Sequence, residues 1–308
     1  MQVFHELKEL DGIAIALGFF DGVHIGHKKI LTTLIQEAKN KGVKAAVITF
    51  DKNPADYFSE EPTLALQSFK DKELIMDSLG IDYLFELNFE PFKDLSAQEY
   101  LENILIKNFK PSVIVVGFNH TFGKDKDGNP ALLKNKEKEL GYECVVVPEQ
   151  KYNDEEEVSS SIIRKRVQHG HLHAVKALLG RYFSVRNSVI KGKGKAKDFG
   201  CPTANLIWPN SMVKLPYGVY HGYSQANGKM YPALISWGQK PTLTDGSEEV
   251  LEVHLYDLDE NIYGKIIKVI FVEKIRDQKD FGNVEALKDQ IKKDFIEFKK
   301  WARSIRRR

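Results

Sequence analysis

The stretch Ala14-Ile-Ala-Leu-Gly-Phe-Phe-Asp-Gly-Val-His-Ile-Gly-His27, followed by Lys28-Lys-Ile-Leu-Thr-Thr-Leu-Ile-Gln-Glu-Ala38, decides how the chain is read. A short apolar run at 13–17 suits a buried strand. Glycines at Gly18, Gly22 and Gly26 mark a turn, after which Ile30, Leu31, Leu34, Ile35 and Ala38 recur at helical spacing. The order is strand, glycine turn, helix. Glycine lets a backbone approach a bulky anion, and unpaired amides at a helix N-terminus attract phosphate, so His24 and His27 fall where a nucleotide's phosphates would lie. A glycine turn before a helix is common by itself. Histidines three apart also occur in zinc sites, but no His-Glu-x-x-His pattern or nearby cysteine pair accompanies these.

Outward from this stretch, 308 residues are enough for two domains, each with its own core. Hydrophobic residues at 42% and charged ones at 29% are ordinary for a globular protein. No apolar run approaches the roughly 18 residues of a membrane span, and no basic segment with a signal-type apolar core opens the chain. The expectation is a cytoplasmic protein without a membrane partner. Cys144 and Cys201, the only cysteines, lie in different halves and imply no disulfide framework. Residues 1–158 hold 18 Lys and Arg against 28 Asp and Glu, a net of −10, whereas 159–308 hold 27 against 15, a net of +12. Two units with different surfaces are expected. The basic half suits anionic small ligands or nucleic acid, or is simply a solvated face.

Further apolar strands are expected at 44–50, 81–87, 112–117 and 142–148, with helices at 69–79, 96–109 and 131–140 between them. Ser96-Ala-Gln-Glu99 has the form of a capping box. Five short apolar strands alternating with helices predict a parallel sheet covered on both faces, with ligands beyond the carboxyl ends of its strands. The acidic stretch 153–157 leads into Ser159-Ser-Ser-Ile-Ile-Arg164, three hydroxyls at a helix start with an arginine one turn in, chemistry suited to triphosphate oxygens or to a plain cap. A helix at 171–179 ends at Gly180, and from 182 to 272 the pattern changes to alternations punctuated by Asn227-Gly228 and Asp245-Gly246, which predicts an antiparallel barrel. An amphipathic helix at 284–301 and a basic tail close the sequence.

Gly-x-Phe-Asp-Gly-Val followed by His24-Ile-Gly-His27 resembles the signature of the nucleotidylyltransferases, in particular the FAD synthetase module of the bacterial bifunctional riboflavin kinase/FAD synthetase family. Ser159 to Arg164 resembles the Ser-Ser-Thr-x-Ile-Arg motif closing that module, with Ser161 in place of threonine. The resemblance implies a Rossmann-like domain over 1–180, binding ATP through Gly18, Phe20, Asp21, Gly22, His24, Gly26 and His27 together with Ser159, Ser160, Ser161 and Arg164. It makes His24 and His27 catalytic. Asn53, in Phe50-Asp-Lys-Asn-Pro54, and Asn119, in Gly117-Phe-Asn-His-Thr-Phe-Gly123, stand where the family has Phe-x-Pro-His-Pro and Gly-x-Asp-Phe-x-Phe-Gly, and fall on the flavin side.

The second motif is Lys191-Gly-Lys-Gly-Lys-Ala-Lys-Asp-Phe-Gly-Cys-Pro-Thr-Ala-Asn205, a glycine and lysine loop leading into Pro-Thr-Ala-Asn. Lysines and open amides surround polyphosphate, and the oxygens of Thr203 and Asn205 are hard ligands fit for Mg²⁺. The loop resembles the riboflavin kinase motif, which implies a kinase barrel over 181–308. ATP is then held by Gly192, Gly194, Lys195, Gly200, Pro202, Thr203 and Asn205, the metal by Thr203 and Asn205, and Glu252 is the base. Gly218, Tyr220 and Arg276 lie in further family blocks assigned to flavin. Lys193, Lys195, Ala196 and Lys197 depart from the usual loop, and Ser236-Trp-Gly238 replaces Asn-Ile-Gly.

The expected activity is conversion of riboflavin to FMN and of FMN to FAD, with ATP as the second substrate of each step. One rival keeps the fold with a single activity, FAD synthetase or riboflavin kinase alone. Another is a nucleic-acid-binding regulator, which leaves both motifs unexplained. No oligomeric state follows from the sequence.

Overall fold

A computed structural model describes residues 1–153, 156–191, 203–241 and 247–305. The chain forms two compact units, Met1–Ser160 and Ser161–Arg308.

The first unit is a doubly wound α/β sheet. Its strands are β1 (Gln2–Phe4), β2 (Ala14–Leu17), β3 (Ala45–Phe50), β4 (Tyr83–Leu87), β5 (Val113–Gly117) and β6 (Glu143–Val147). They pair in parallel in the order β1-β4-β3-β2-β5-β6. The chain runs from β2 outward through β3 to β4, then returns to β5 and β6 on the other side, so the order reverses between β2 and β5. Beyond the carboxyl ends at such a reversal a crevice opens. Alternation builds both faces: Ile15, Leu17, Ile48 and Phe85 pack with Leu101, Leu105 and Phe109, whereas Ala14, Ala16, Val47 and Leu84 pack with Leu31, Leu34 and Met76.

The helices follow the expected spacing. They are α1 (Ile25–Lys41), α2 (Phe69–Leu79), α3 (Ala97–Glu99), α4 (Lys107–Phe109) and α5 (Pro130–Leu140). Both bonds of the capping box at α3 form, Ser96 N to Glu99 Oε2 at 2.9 Å and Glu99 N to Ser96 Oγ at 3.2 Å. Between α3 and α4 the chain is π-helical over Tyr100–Ile106, a widening that the spacing did not announce. The three-residue edge strand β1 and the hairpin of β7 (Lys151–Tyr152) with β8 (Glu156–Glu157) are likewise additions to the sequence reading.

The second unit takes over within the first turn of α6 (Ser160–Gln168) and continues into α7 (Leu172–Leu179), which packs on the first and last barrel strands. The strands are β9 (Phe183–Ser188), β10 (Ala204–Leu206), β11 (Gly218–Ala226), β12 (Lys229–Pro241), β13 (Ser247–Leu255) and β14 (Ile266–Asp277). They pair antiparallel in the order β10-β13-β12-β11-β14-β9. A bridge between Ile190 and Asn205 joins the two edges, so the sheet curls into the expected barrel. Trp208, Trp237, Tyr220, Phe183 and Phe271 fill it. Helix α8 (Val284–Ile305) lays Phe298 and Ala302 against Val219 and Leu234 on its outside. Among the described residues no helix is long and apolar enough to cross a membrane.

Candidate active sites

In the first unit, Phe20 (φ 54), Gly22 (φ 77) and Val23 (φ 35) take left-handed backbone directly after β2. Glycine does so freely, but a β-branched valine there is strained, and strain persists only where the surroundings hold it. Lys72 Nζ and Thr49 Oγ1 donate to the Phe19 carbonyl at 2.8 and 3.0 Å. The buried Asp21 carboxylate accepts the Leu66 amide at 2.9 Å. Ser160 Oγ, 139 residues further on, donates to the Asp21 carbonyl at 2.9 Å.

Helix α1 starts at once. Its cap is His24, whose Nδ1 accepts the His27 amide at 3.2 Å, which leaves the proton of the neutral ring on Nε2. The two imidazoles stack with centroids 3.5 Å apart, and Phe20 meets His27 edge-on at 5.2 Å.

A cavity of about 360 Å³ opens beyond the carboxyl ends of β2, β5 and β6. The glycine turn contributes Gly18, Phe20, His24, Gly26 and His27 to its wall; Asn119 enters after β5, and Ser159 and Ser160 before and at the start of α6. Asp21 and Gly22 shape the turn without lining the cavity. Asn53 lies outside that wall: its Oδ1 accepts the Ala55 amide at 3.2 Å and caps the turn Pro54–Phe58. Ser161 and Arg164 belong to the second unit, where Arg164 Nη1 donates to Ser161 Oγ at 3.3 Å.

Two residues had no role in the sequence reading. His120 lines the cavity, burial pulls its pKa down to about 4, and its Nε2 has no hydrogen-bond partner among the described residues. The available signal was its place in the motif, where the family carries phenylalanine. Lys72 on α2 is 5% exposed, and burial brings its ammonium down to about 8 against the pull of Asp21 and Glu86, which favour the charge. No spacing rule marks a lysine in that helix as buried.

In the second unit, Asn205 on β10 lies directly opposite Glu252 on β13, and Glu252 directly opposite Ser236 on β12. Their neighbours Ala204, Leu206, Leu251 and Val253 are buried, so strand alternation turns Asn205 and Glu252 to the other face together. Thr203 directly precedes β10, two residues before Asn205. A hydroxyl and an amide oxygen beside a carboxylate are hard oxygen donors, and they fit Mg²⁺ carried in with nucleotide phosphates. Among the described residues no group of three or more His, Cys, Asp or Glu forms a self-sufficient metal site. Gly192, Gly194, Lys195, Gly200 and Pro202 lie outside the described residues.

Of the remaining positions, Gly218 and Tyr220 lie on β11 and Arg276 on β14. A side chain at Gly218 would meet the Arg276 carbonyl oxygen at 2.5 Å. Tyr220 is fully buried in the barrel, its hydroxyl donating to the Pro216 carbonyl. Arg276 pairs with the buried Asp294 of α8, Nη2 to Oδ2 at 2.6 Å and Nε to Oδ1 at 3.1 Å.

Comparison with known proteins covers both units. The family model described as FAD synthetase matches residues 6–162, and the one described as riboflavin kinase matches 179–302. The bifunctional riboflavin kinase/FMN adenylyltransferase of Bacillus subtilis (strain 168) is 32% identical, covering 98% of this chain and 97% of its own. That of Haemophilus influenzae is 31% identical, over 93% of each chain. A crystal structure from Streptococcus pneumoniae, described as a macrolide-efflux protein, superposes with a TM-score of 0.86 at 28% identity, covering 98% of this chain and 100% of that one. With a FAD synthetase domain followed by a riboflavin kinase domain over nearly the whole length, the chain belongs to the bifunctional riboflavin kinase/FMN adenylyltransferase family.

Proposed function

We propose that this chain phosphorylates riboflavin to FMN with one ATP, in the domain of residues 181–308, and adenylylates FMN to FAD with a second, in the domain of residues 1–180. The observation that carries the reading is convergence: in each unit, motif residues distant in sequence meet, at the cavity of His24 and Ser160 and at the Asn205–Glu252 rung.

In the barrel, the Glu252 carboxylate accepts the proton of the ribityl 5′-hydroxyl as that oxygen bonds to the γ-phosphorus and ADP leaves. Thr203 and Asn205 hold Mg²⁺, which when bound neutralises charge on the phosphates. In the first unit, a phosphate oxygen of FMN attacks the α-phosphorus of ATP and pyrophosphate departs. That nucleophile is already ionised near neutral pH, so positioning and charge stabilisation suffice. His24 donates from Nε2, the α1 amides and Ser159 and Ser160 face the phosphates, and Ser161 and Arg164 add a hydroxyl and a cation. Asn53 and Asn119 serve the flavin side there, and Gly218, Tyr220 and Arg276 frame the flavin side of the kinase. Both steps consume ATP, and we assign the protein to the cytoplasm. Incubation with riboflavin and Mg-ATP, with FMN, FAD and pyrophosphate resolved separately, tests the whole scheme; absence of FMN or of FAD removes the corresponding half.

A further inference from the structure

Lys72 is a buried cation that the scheme above does not use. Its Nζ lies 2.8 Å from the Phe19 carbonyl oxygen and 3.4 Å from Thr49 Oγ1, with the Phe19 ring centroid at 4.4 Å and that of Phe69 at 5.9 Å. Phe19 is part of the cavity wall, between Gly18 and Phe20. Thr49 already donates to the same carbonyl at 3.0 Å, so the ammonium is not needed to satisfy that acceptor. Nor is it needed for packing, since a methionine has similar length and no charge to bury. A cation kept where burial opposes it is the pattern of a site that trades stability for function.

We propose that the buried Lys72 ammonium is a positioning residue for adenylyl transfer, holding the Phe19 carbonyl and with it the 18–20 wall of the nucleotide cavity. The inference rests on the assignment of adenylyl transfer to that cavity. The left-handed turn that follows is tied on its N-terminal side to β3 by Thr49 and to α2 by Lys72, and on the other side to Leu66 by Asp21. The charged groups facing Lys72 are Asp21 from the turn and Glu86 from β4; Glu86 has His5 Nδ1 at 3.2 Å, and Asp71 on the same helix is engaged by Ser68 Oγ at 2.9 Å. With its pKa near 8, the lysine loses its proton on mild alkalinisation, and the charge-assisted bond to Phe19 weakens.

The test compares wild type, Lys72→Met and Lys72→Arg in two reactions, FAD from FMN and Mg-ATP, and FMN from riboflavin and Mg-ATP. Lys72→Met is expected to lower kcat/KM for FAD formation on the order of tenfold to a hundredfold, with KM for ATP raised. FMN formation stays at the wild-type rate and reports that the protein is folded. Wild-type FAD formation declines above about pH 8, Lys72→Met lacks that limb, and Lys72→Arg, whose cation does not titrate, moves it out of range. FAD formation by Lys72→Met within twofold of wild type, an alkaline limb unchanged in both variants, or equal loss of both reactions overturns the proposal. Failure of wild type to make FAD overturns the parent assignment instead.

Discussion

Replacement of Lys72 by methionine is expected to stabilise the first unit at neutral pH, against the usual effect of a core substitution. The ammonium titrates near 8 in the folded chain against 10.5 in the open one, and at about 1.4 kcal/mol per unit this amounts to about 3 kcal/mol spent on keeping the charge buried. Methionine removes that cost and gives up the amine's bond to the Phe19 carbonyl, about 1 kcal/mol, with Thr49 still in place. The net expectation is a gain of about 2 kcal/mol at pH 7. Its pH dependence is diagnostic. Below about pH 8 both folded and unfolded lysine are charged and the full cost is present. Between about 8 and 10.5 the unfolded chain binds the extra proton, so wild-type stability rises relative to the variant by about 1.4 kcal/mol per pH unit. Urea unfolding of both proteins at pH 7.0 and 9.5, followed by far-ultraviolet circular dichroism, should therefore show the gap narrowing by about 2 kcal/mol. A variant less stable than wild type at pH 7, with a gap that ignores pH, refutes the reasoning.

Four other outcomes are expected. Glu252→Gln should abolish FMN formation, by a factor on the order of 10² to 10⁴, and leave FAD formation from supplied FMN intact, as chromatography of products would show. His24→Ala should lower FAD formation about a hundredfold and spare FMN formation, since it removes both the Nε2 donor and the α1 cap. Asp294→Ala strands the Arg276 guanidinium against α8 and should cost the second unit about 3 kcal/mol in denaturant unfolding. For His120, the folded pKa near 4 lies below the ordinary 6.5, so the unfolded chain takes the proton first and stability falls as pH drops from about 6.5 to 4. His120→Phe should flatten that part of the acid-unfolding profile.

The glycine turn was legible because strand, glycines and helix spacing all point the same way over one continuous stretch, and α1 and β2 appear where that stretch puts them. The capping box was legible for the same reason, as an interaction closed within four residues. β1 was not, because three residues at a sheet edge owe their strand to β4, about eighty positions away. Tyr220 shows what motif matching leaves out: the parity of β11, which turns its ring into the barrel, follows from pairing with β12 and β14 and not from the motif. The burial of Lys72 had no local trace at all. Its partners come from the glycine turn and β3, and only the folded sheet brings them to α2.

The rung joining Asn205 to Glu252 carries a constraint on chain length. β10 meets β13 over only three residues, and neighbouring side chains point in opposite directions. Deleting a single residue within that short edge would swing the amide into the hydrophobic interior and push Leu206 or Ala204 out beside the carboxylate. From Ala204 to Leu206 the length of the chain must therefore stay fixed for the amide and the carboxylate to share one face.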